Sequence, residues 1–177
     1  MLEGKTVNLR VVEKEDLPLL ADWYNNPEFY GEFLWFRQES RAEREKRYES
    51  LTPDNKSFFI EKKDGAKVGV IVHVMTGPFN LLEISYNVMP TERGKGYGTE
   101  AAQLMVDYLF LSKDMVRIQA STDPRNVASQ KVLEKVGFKR EGTLRKSVFF
   151  RGEWQDSIVY SILREEWKEP RILTKSA

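Results

Sequence analysis

Residues 81–111 read LLEISYNVMPTERGKGYGTEAAQLMVDYLFL, and this stretch decides the fold. Its first part alternates apolar and polar residues at period two, which predicts a strand with one buried face. After a glycine-rich turn, apolar residues recur at helical spacing from Ala101 to Leu109. The stretch therefore predicts a strand, a turn and a helix in direct succession.

The turn between them, Arg93-Gly94-Lys95-Gly96-Tyr97-Gly98, has the composition of a phosphate site. Its glycines expose backbone N–H groups, and the following helix adds the positive end of its dipole. Its two basic side chains add full charge. The spacing fits neither a Walker loop, which needs Lys-Ser/Thr after its last glycine, nor the Gly-x-Gly-x-x-Gly fingerprint of dinucleotide sites.

Length and composition exclude several classes of protein. The 177 residues predict one domain, residues 1–168, with residues 169–177 as a C-terminal tail. With 28 basic and 27 acidic residues the net charge is +1, which argues against nucleic-acid binding by bulk charge. The chain has no cysteine and one histidine, so no metal site is expected. Neither a signal pattern nor a membrane-length apolar run is present, which predicts a cytoplasmic protein without membrane partners.

The whole chain predicts an α+β fold. Two β-α-β passages around the central stretch require parallel pairing, and hairpins at both ends require antiparallel pairing. Ser40 and Glu43 have the spacing of a capping box at the start of the second helix. We expect a mixed, mostly antiparallel sheet of about seven strands, with about four helices on its two faces. The expected strands are 5–12, 58–62, 68–75, 81–89, 115–121, 138–150 and 155–163.

Two ordered motifs carry a family resemblance. Arg93, Gly96 and Gly98 fill the pattern Arg/Gln-x-x-Gly-x-Gly/Ala, which resembles the pyrophosphate loop of the GNAT N-acetyltransferases. The pattern Asn-x-x-Ser-x-x-Val-x-x-x-x-Gly-Phe, from Asn126 to Phe138, resembles the second cofactor motif of that family. Trp35 near Ser-Arg-Ala-Glu at 40–43 is similar to the RimJ/RimL-like branch, which acetylates the N-termini of ribosomal proteins.

The resemblance covers about residues 5–165 and implies acetyl-CoA as co-substrate and an amine as acceptor. It implies that the sheet splays open between the fourth and fifth expected strands, with the thioester in the gap. It does not decide the oligomeric state, and a homodimer is one possibility. The residues that it assigns to acetyl-CoA are Val88, Arg93, Gly94, Lys95, Gly96, Tyr97, Gly98, Thr99, Asn126 and Ser129.

The catalytic groups of the family are only partly present. Many members protonate the departing thiolate with a tyrosine, but that position is Leu133 here, so Ser129 is the substitute that we favour. The other interpretation of Ser129 is a helix residue that bonds cofactor or backbone. The glutamate viewed as a base in the RimJ/RimL-like branch corresponds to Val148. Glu83 and Tyr86 on the central strand are expected to act through water, although Glu83 also fits a solvated strand residue.

This shortage of bases favours an acceptor of low pKa. Roughly a seventh of an α-amine with pKa 7.8 is neutral at pH 7, against about 0.04% of an amine with pKa 10.4. The sequence therefore predicts a peptide N-terminus as acceptor. The alternatives are a small-molecule amine (a polyamine, an aminoglycoside or another antibiotic) and a CoA-binding regulatory module without turnover. Tyr30, Phe33 and Trp35 are expected on the acceptor side, with core packing as their other interpretation.

Overall fold

The computed structural model describes residues 1–34, 38–77, 81–168 and 170–172. These residues form eight strands: β1 Leu2–Glu3, β2 Val7–Val11, β3 Lys56–Lys62, β4 Lys67–Thr76, β5 Leu81–Val88, β6 Arg117–Thr122, β7 Lys139–Phe150 and β8 Glu153–Leu163. They make one sheet in the order β1-β2-β3-β4-β5-β6-β8-β7. Neighbouring strands are antiparallel except β5 and β6, which are parallel. The predicted mixed, mostly antiparallel sheet is confirmed.

The described residues also form five α-helices: α1 Leu17–Tyr24, α2 Pro27–Tyr30, α3 Arg41–Glu49, α4 Tyr97–Ser112 and α5 Val127–Val136. The predicted capping box of α3 is confirmed, because Ser40 Oγ accepts from Glu43 N at 3.2 Å and the Glu43 carboxylate accepts from Ser40 N at 2.8 Å. None of the described helices is long and apolar enough to cross a membrane.

Two elements go beyond the sequence-based expectation. β1 has two residues, too few to show a period of two. α2 is a single turn, too short to repeat a helical period, and Asn26 caps it by accepting from Glu28 N at 2.9 Å. Both elements therefore lie below the length at which hydrophobic periodicity can reveal them.

The helices cover both faces of the sheet, as predicted. On one face Leu104 of α4 and Leu133 of α5 pack in a cluster with Ile84 of β5. On the opposite face Leu20 of α1 packs in a second cluster with Phe59 of β3. Both faces of the sheet are buried. A slip of one residue in a central strand would move each of its side chains to the opposite face, so the strand register is strongly fixed.

The sheet opens between β5 and β6. These strands pair at two positions, Leu82 with Ile118 and Glu83 with Gln119, whereas β5 pairs with β4 along its whole length. β6 in turn stays paired with β8 as far as Thr122. Beyond Glu83 the two parallel strands therefore diverge. The predicted splay is confirmed and lies at the end of β5 that leads into the glycine loop.

The segment expected to form a C-terminal tail returns to α4. Asp107 is buried, and its carboxylate accepts from Trp167 Nε1 at 2.8 Å and from the main-chain N–H groups of Arg171 and Ile172. A buried carboxylate requires such donors. Asp107 thus anchors the chain as far as Ile172, and residues 173–177 lie outside the described residues.

His73 is enclosed in the sheet. It is fully buried on β4, near the rings of Phe58 and Tyr108, with Nδ1 3.0 Å from the Asp54 carbonyl oxygen. Burial is the main cause that lowers the pKa of His73 to about 4. The imidazole is therefore neutral at pH 7. No cluster of three or more potential metal-ligating side chains occurs in the described part of the chain.

The neutral state of His73 predicts an acid-sensitive stability. The unfolded chain binds a proton below pH 6.5 and the folded chain only near pH 4, so the free energy of unfolding falls as the pH drops through this window, by about 3 kcal/mol in total. His73→Asn keeps an amide donor towards Asp54 and removes the titration. Urea unfolding at pH 7.0, 5.5 and 4.5 should show a smaller pH-dependent loss for the variant. Equal losses in both proteins would contradict the prediction.

Candidate active site

The edge of β5 at the gap presents main-chain groups. Met89, the residue that follows β5, donates its N–H to Val68 O of β4 at 2.8 Å, so this pair is hydrogen-bonded. Because hydrogen-bonded pairs alternate along an antiparallel ladder, the N–H and C=O groups of Tyr86 and Val88 point away from β4. They point into the space where β6 has diverged. This is the position that the sequence predicts for Val88, whose backbone is expected to pair with an extended ligand.

The glycine loop provides an anion site at the start of α4. Gly94 and Gly96 have φ angles of +79° and +86°, which L-residues rarely adopt, and a Cβ built on either would meet no atom within 4 Å. Gly96 is the N-cap of the sixteen-residue α4 and makes no side-chain cap. The first N–H groups of the helix, at Tyr97, Gly98 and Thr99, therefore face an open surface together with the positive end of the dipole.

The two basic residues of the loop have partners within the chain. Arg93 Nε donates to Val88 O at 3.0 Å, and its Nη2 donates to Phe29 O at 3.3 Å. Lys95 Nζ forms an ion pair with Glu92 at 3.0 Å. The sequence predicts both as charged partners of a pyrophosphate. In this structure Arg93 reaches across the site to these two carbonyl oxygens, and its role towards a pyrophosphate stays a prediction.

Tyr86 and Ser129 meet on the α5 side of the gap. The Tyr86 hydroxyl lies 3.1 Å from Ser129 Oγ and also donates to the Ser129 carbonyl oxygen at 3.3 Å. Burial raises the pKa of Tyr86 to about 12, and the Ser129 hydrogen bond opposes this shift. Asn126 caps α5 by accepting from Ser129 N at 3.0 Å, which leaves its side-chain NH₂ group to act as donor. The structure thus joins two of the predicted catalytic residues as a neutral hydroxyl pair.

The third predicted catalytic residue, Glu83, lies elsewhere. It sits where β5 and β6 still pair, three residues before Tyr86, a separation of about 10 Å along a strand. Since side chains alternate along a strand, its carboxylate also points to the opposite face of the sheet. Glu83 is therefore not brought together with the Tyr86–Ser129 pair.

The predicted acceptor-side aromatics divide into two environments. Tyr30 is buried, and its ring centroid lies 5.8 Å from that of Tyr24, so its ring is part of the packing under the site. Phe33 is half-buried, and the Arg125 guanidinium lies 5.8 Å from its ring centroid. Phe33 therefore lies at the site surface. Trp35 lies outside the described residues.

Three side chains hold the acceptor loop, defined here as residues 29–34. Arg93 and Asn87 both donate to Phe29 O, and Arg151 Nη2 donates to Gly31 O at 2.6 Å. Asn87 and Arg151 are absent from the sequence-based list of site residues. No local signal marks them, because their partners lie 58 and 120 positions away in the chain.

A cleft of about 820 Å³ adjoins the loop that precedes α5. Its walls are that loop on one side and the β7–β8 hairpin on the other. We call it the hairpin cleft. The lining residues that matter for its charge are Asp123, Arg125, Arg145, Lys146 and Asp156.

This geometry has counterparts among known proteins. A family model described as an acetyltransferase (GNAT) domain matches residues 6–139. The probable N-acetyltransferase YjcK of Bacillus subtilis (strain 168) is 34% identical over 181 residues, which cover 94% of this chain and 98% of the relative. The spermidine N(1)-acetyltransferase of Escherichia coli (strain K12) is 27% identical over 171 residues, which cover 94% of this chain and 91% of the relative.

Among solved structures, RimL, a ribosomal L7/L12 alpha-N-protein acetyltransferase in complex with coenzyme A, aligns with a TM-score of 0.80. The identity is 20%, with 90% of this chain and 95% of that chain covered. At this identity the likeness shows the shared fold. The relatives named here thus include an enzyme for a polyamine and an enzyme for a protein N-terminus.

The glycine loop predicts a specific loss of CoA binding. An L-residue at the φ of Gly96 is strained by roughly 1–2 kcal/mol, so Gly96→Ala should relax the loop away from its anion-binding shape. We expect calorimetric CoA affinity to fall about five- to thirtyfold. Gly65, in the β3–β4 turn, is a matched control, because it has the same φ of +86° and equally open space. Gly65→Ala should leave CoA affinity unchanged, and wild-type affinity in Gly96→Ala would contradict the assignment of the loop.

Proposed function

From the premise that this chain belongs to the GNAT acetyltransferase family and is an acetyl-CoA-dependent N-acetyltransferase, we propose that its acceptor is the N-terminal α-amine of a protein or peptide. The proposal follows the RimJ/RimL-like resemblance of the sequence. It places the enzyme in the cytoplasm, where ribosomal proteins are made.

The observation that carries this proposal is the neutral Tyr86–Ser129 pair. The two influences on the pKa of Tyr86 are burial and the Ser129 hydroxyl, neither of them a charged group. Such a pair donates protons and does not accept one from an ammonium group. An acceptor that is already partly neutral at pH 7 fits it. The neutral fraction of an α-amine exceeds that of a lysine-like amine by about 350-fold, which corresponds to more than about 3 kcal/mol of activation free energy.

The residues then have distinct roles. When bound, acetyl-CoA supplies the acetyl group as a thioester. The main-chain N–H groups that face the gap, Val88 among them, donate to the carbonyl oxygen as it gains charge. The Ser129 hydroxyl donates its proton to the departing thiolate and takes one from the Tyr86 hydroxyl, while the proton that the attacking nitrogen loses as the amide forms returns to Tyr86 through water. The positive start of α4 and the N–H groups of residues 97–99 hold the phosphates.

The polyamine alternative rests on the likeness to a spermidine N(1)-acetyltransferase. The charge of the hairpin cleft argues against it. Arg125, Arg145 and Lys146 line this cleft beside two aspartates, and Asp123 is already paired with Arg125 at 2.7 Å. A polycation would meet repulsion there, whereas an uncharged or acidic peptide would not.

A panel of amines tests the proposal. Thiol release from acetyl-CoA is measured at pH 7 with a hexapeptide that has a free N-terminus, with the same peptide blocked at its N-terminus and carrying one lysine, with spermidine and with an aminoglycoside. We expect kcat/KM for the free peptide to exceed the others at least tenfold, with the acetyl group mapped to the α-nitrogen by mass spectrometry. The proposal would be overturned if thiol were released with spermidine, the aminoglycoside or the blocked peptide but not with the free peptide. The absence of release with every amine would also overturn it.

The hydroxyl pair predicts a defect in turnover with intact cofactor binding. A positioned proton donor contributes roughly 10²–10⁴-fold, so Ser129→Ala should lower kcat by about 100-fold or more. Tyr86→Phe should also lower kcat, and the double variant should lose little more than Ser129→Ala, because the two groups act as one unit. Calorimetry should show CoA affinity within about threefold of wild type. Unchanged kcat in Ser129→Ala would leave Ser129 as a structural helix residue only.

A further inference from the structure

The hairpin cleft contains an irregularity in β7. The pairing of β7 with β8 goes from Leu144 opposite Ser157 to Val148 opposite Gln155. Three residues of β7, 145–147, therefore stand opposite the single residue Asp156. Lys146, the middle residue of this bulge, has a φ of +48°, which is unusual for a residue with a side chain. The bulge bends the strand where it lines the cleft.

The bulge is held by specific contacts. Lys146 N donates to Asp156 Oδ1 at 2.9 Å, and Lys146 Nζ donates to the Trp154 carbonyl oxygen at 3.0 Å. A left-handed conformation at a lysine persists where surrounding contacts determine it, and such positions concentrate at ligand-binding segments. The consequence of this geometry is that Arg145 is fixed on the wall of the cleft.

The charges around the cleft leave Arg145 available. Arg125 is bound by both oxygens of Asp123, at 3.0 and 2.7 Å, and this hydrogen bonding is the main cause of its raised pKa, with smaller contributions from Glu32 and Glu153. Arg125 is thus largely compensated. Arg145, by contrast, forms no ion pair with any residue in the described ranges, and it is exposed. A guanidinium with five donors in a planar fork matches a carboxylate in geometry and in charge.

The cleft lies within reach of the reacting pair. Arg125 lines the cleft from the loop before α5, and Ser129 follows it by four residues in the first turn of α5, so their Cα atoms are no more than about 14 Å apart. An extended peptide advances about 3.3 Å per residue. A peptide whose α-amine lies at the Tyr86–Ser129 pair is therefore long enough to bring its second to fourth residues to the hairpin cleft.

We propose that Arg145 is a specificity residue, which binds a carboxylate in the second to fourth position of the acceptor, so that the preferred acceptors are N-termini followed by Asp or Glu. This inference rests on the proposed function and makes it narrower. Lys146 adds positive charge beside Arg145, and Asp156 is engaged with the bulge itself. The lining of the cleft thus carries three positive and two negative charges, and the nearby carboxylates of Glu32 and Glu153 act on Arg125, which leaves Arg145 as the cation available to the acceptor chain.

The test compares three hexapeptides that differ only at positions 2 to 4, which are all Glu, all Gln or all Lys. We expect wild-type kcat/KM for the acidic peptide to exceed that for the neutral one about tenfold at low salt, and the ratio to shrink as salt is added. Arg145→Gln should abolish this ratio, and Arg145→Glu should reverse it in favour of the basic peptide. Fluorescence anisotropy of labelled peptides should show the same order of affinities without turnover.

Two controls separate folding from recognition. Both Arg145 variants should keep the wild-type melting temperature and, in calorimetry, the wild-type affinity for CoA, which shows that the fold and the cofactor site are intact. Lys135→Glu changes an exposed charge at the far end of α5 and should leave the peptide ratios unchanged. Equal rates for acidic and neutral peptides in wild type, or an unchanged ratio in Arg145→Glu, would overturn this inference while the proposed function stands. Absence of acetylation on all three peptides would overturn the proposed function itself.

Discussion

The divergence of β5 from β6 after Glu83 is the constraint on which the rest of the site depends. Within a sheet, each strand satisfies its main-chain groups through its neighbours. Past Glu83 the edge of β5 at Tyr86 and Val88 has lost one neighbour, and one of its carbonyl groups is bonded by Arg93. A ligand with amide groups along an extended arm fits such an edge, because it can pair as a further strand would. The same divergence exposes the Tyr86 hydroxyl to α5 and so permits its contact with Ser129.

Arg93 connects the donor half of the site to the acceptor half. Its guanidinium bridges the carbonyl oxygens of Val88, at the end of β5, and Phe29, at the start of the acceptor loop. Asn87 reaches the same Phe29 oxygen, and Arg151 reaches Gly31. The acceptor loop is thus held by the glycine loop, the central strand and the hairpin together. Arg93 thus links the glycine loop to the acceptor loop through its two hydrogen bonds.

Sequence reasoning succeeds here where a role depends on chain neighbours and fails where it depends on distant contacts. The glycine loop and the capping box at Ser40 are predictable, because φ angles and helix caps are decided within a few residues. The contact between Arg93 and Phe29 is not predictable from the sequence. An arginine in a phosphate loop is expected to bind the anion, and Phe29 lies 64 positions away in the chain. The bulge at 145–147 is also hidden, because Arg-Lys-Ser contains neither glycine nor proline.

Acetyl-CoA and the acceptor are bound by different kinds of group in our proposal, main-chain groups for the first and side chains for the second. This difference explains why membership of the family determines the acetyl donor but not the acceptor. The groups that we propose to face acetyl-CoA are mostly backbone N–H groups of a turn, a helix start and a strand edge, which any sequence with this fold supplies. The surface that we propose for the acceptor is built from side chains of three separate segments: the acceptor loop, the loop before α5 and the β7–β8 hairpin. A single side chain can change that surface without disturbing the donor side. Val148, at the expected position of a glutamate, is one example, and Arg145, which the bulge places on the wall of the cleft, is another. Relatives that share this fold can therefore act on a polyamine or on a protein N-terminus, and the acceptor has to be inferred from the hairpin cleft.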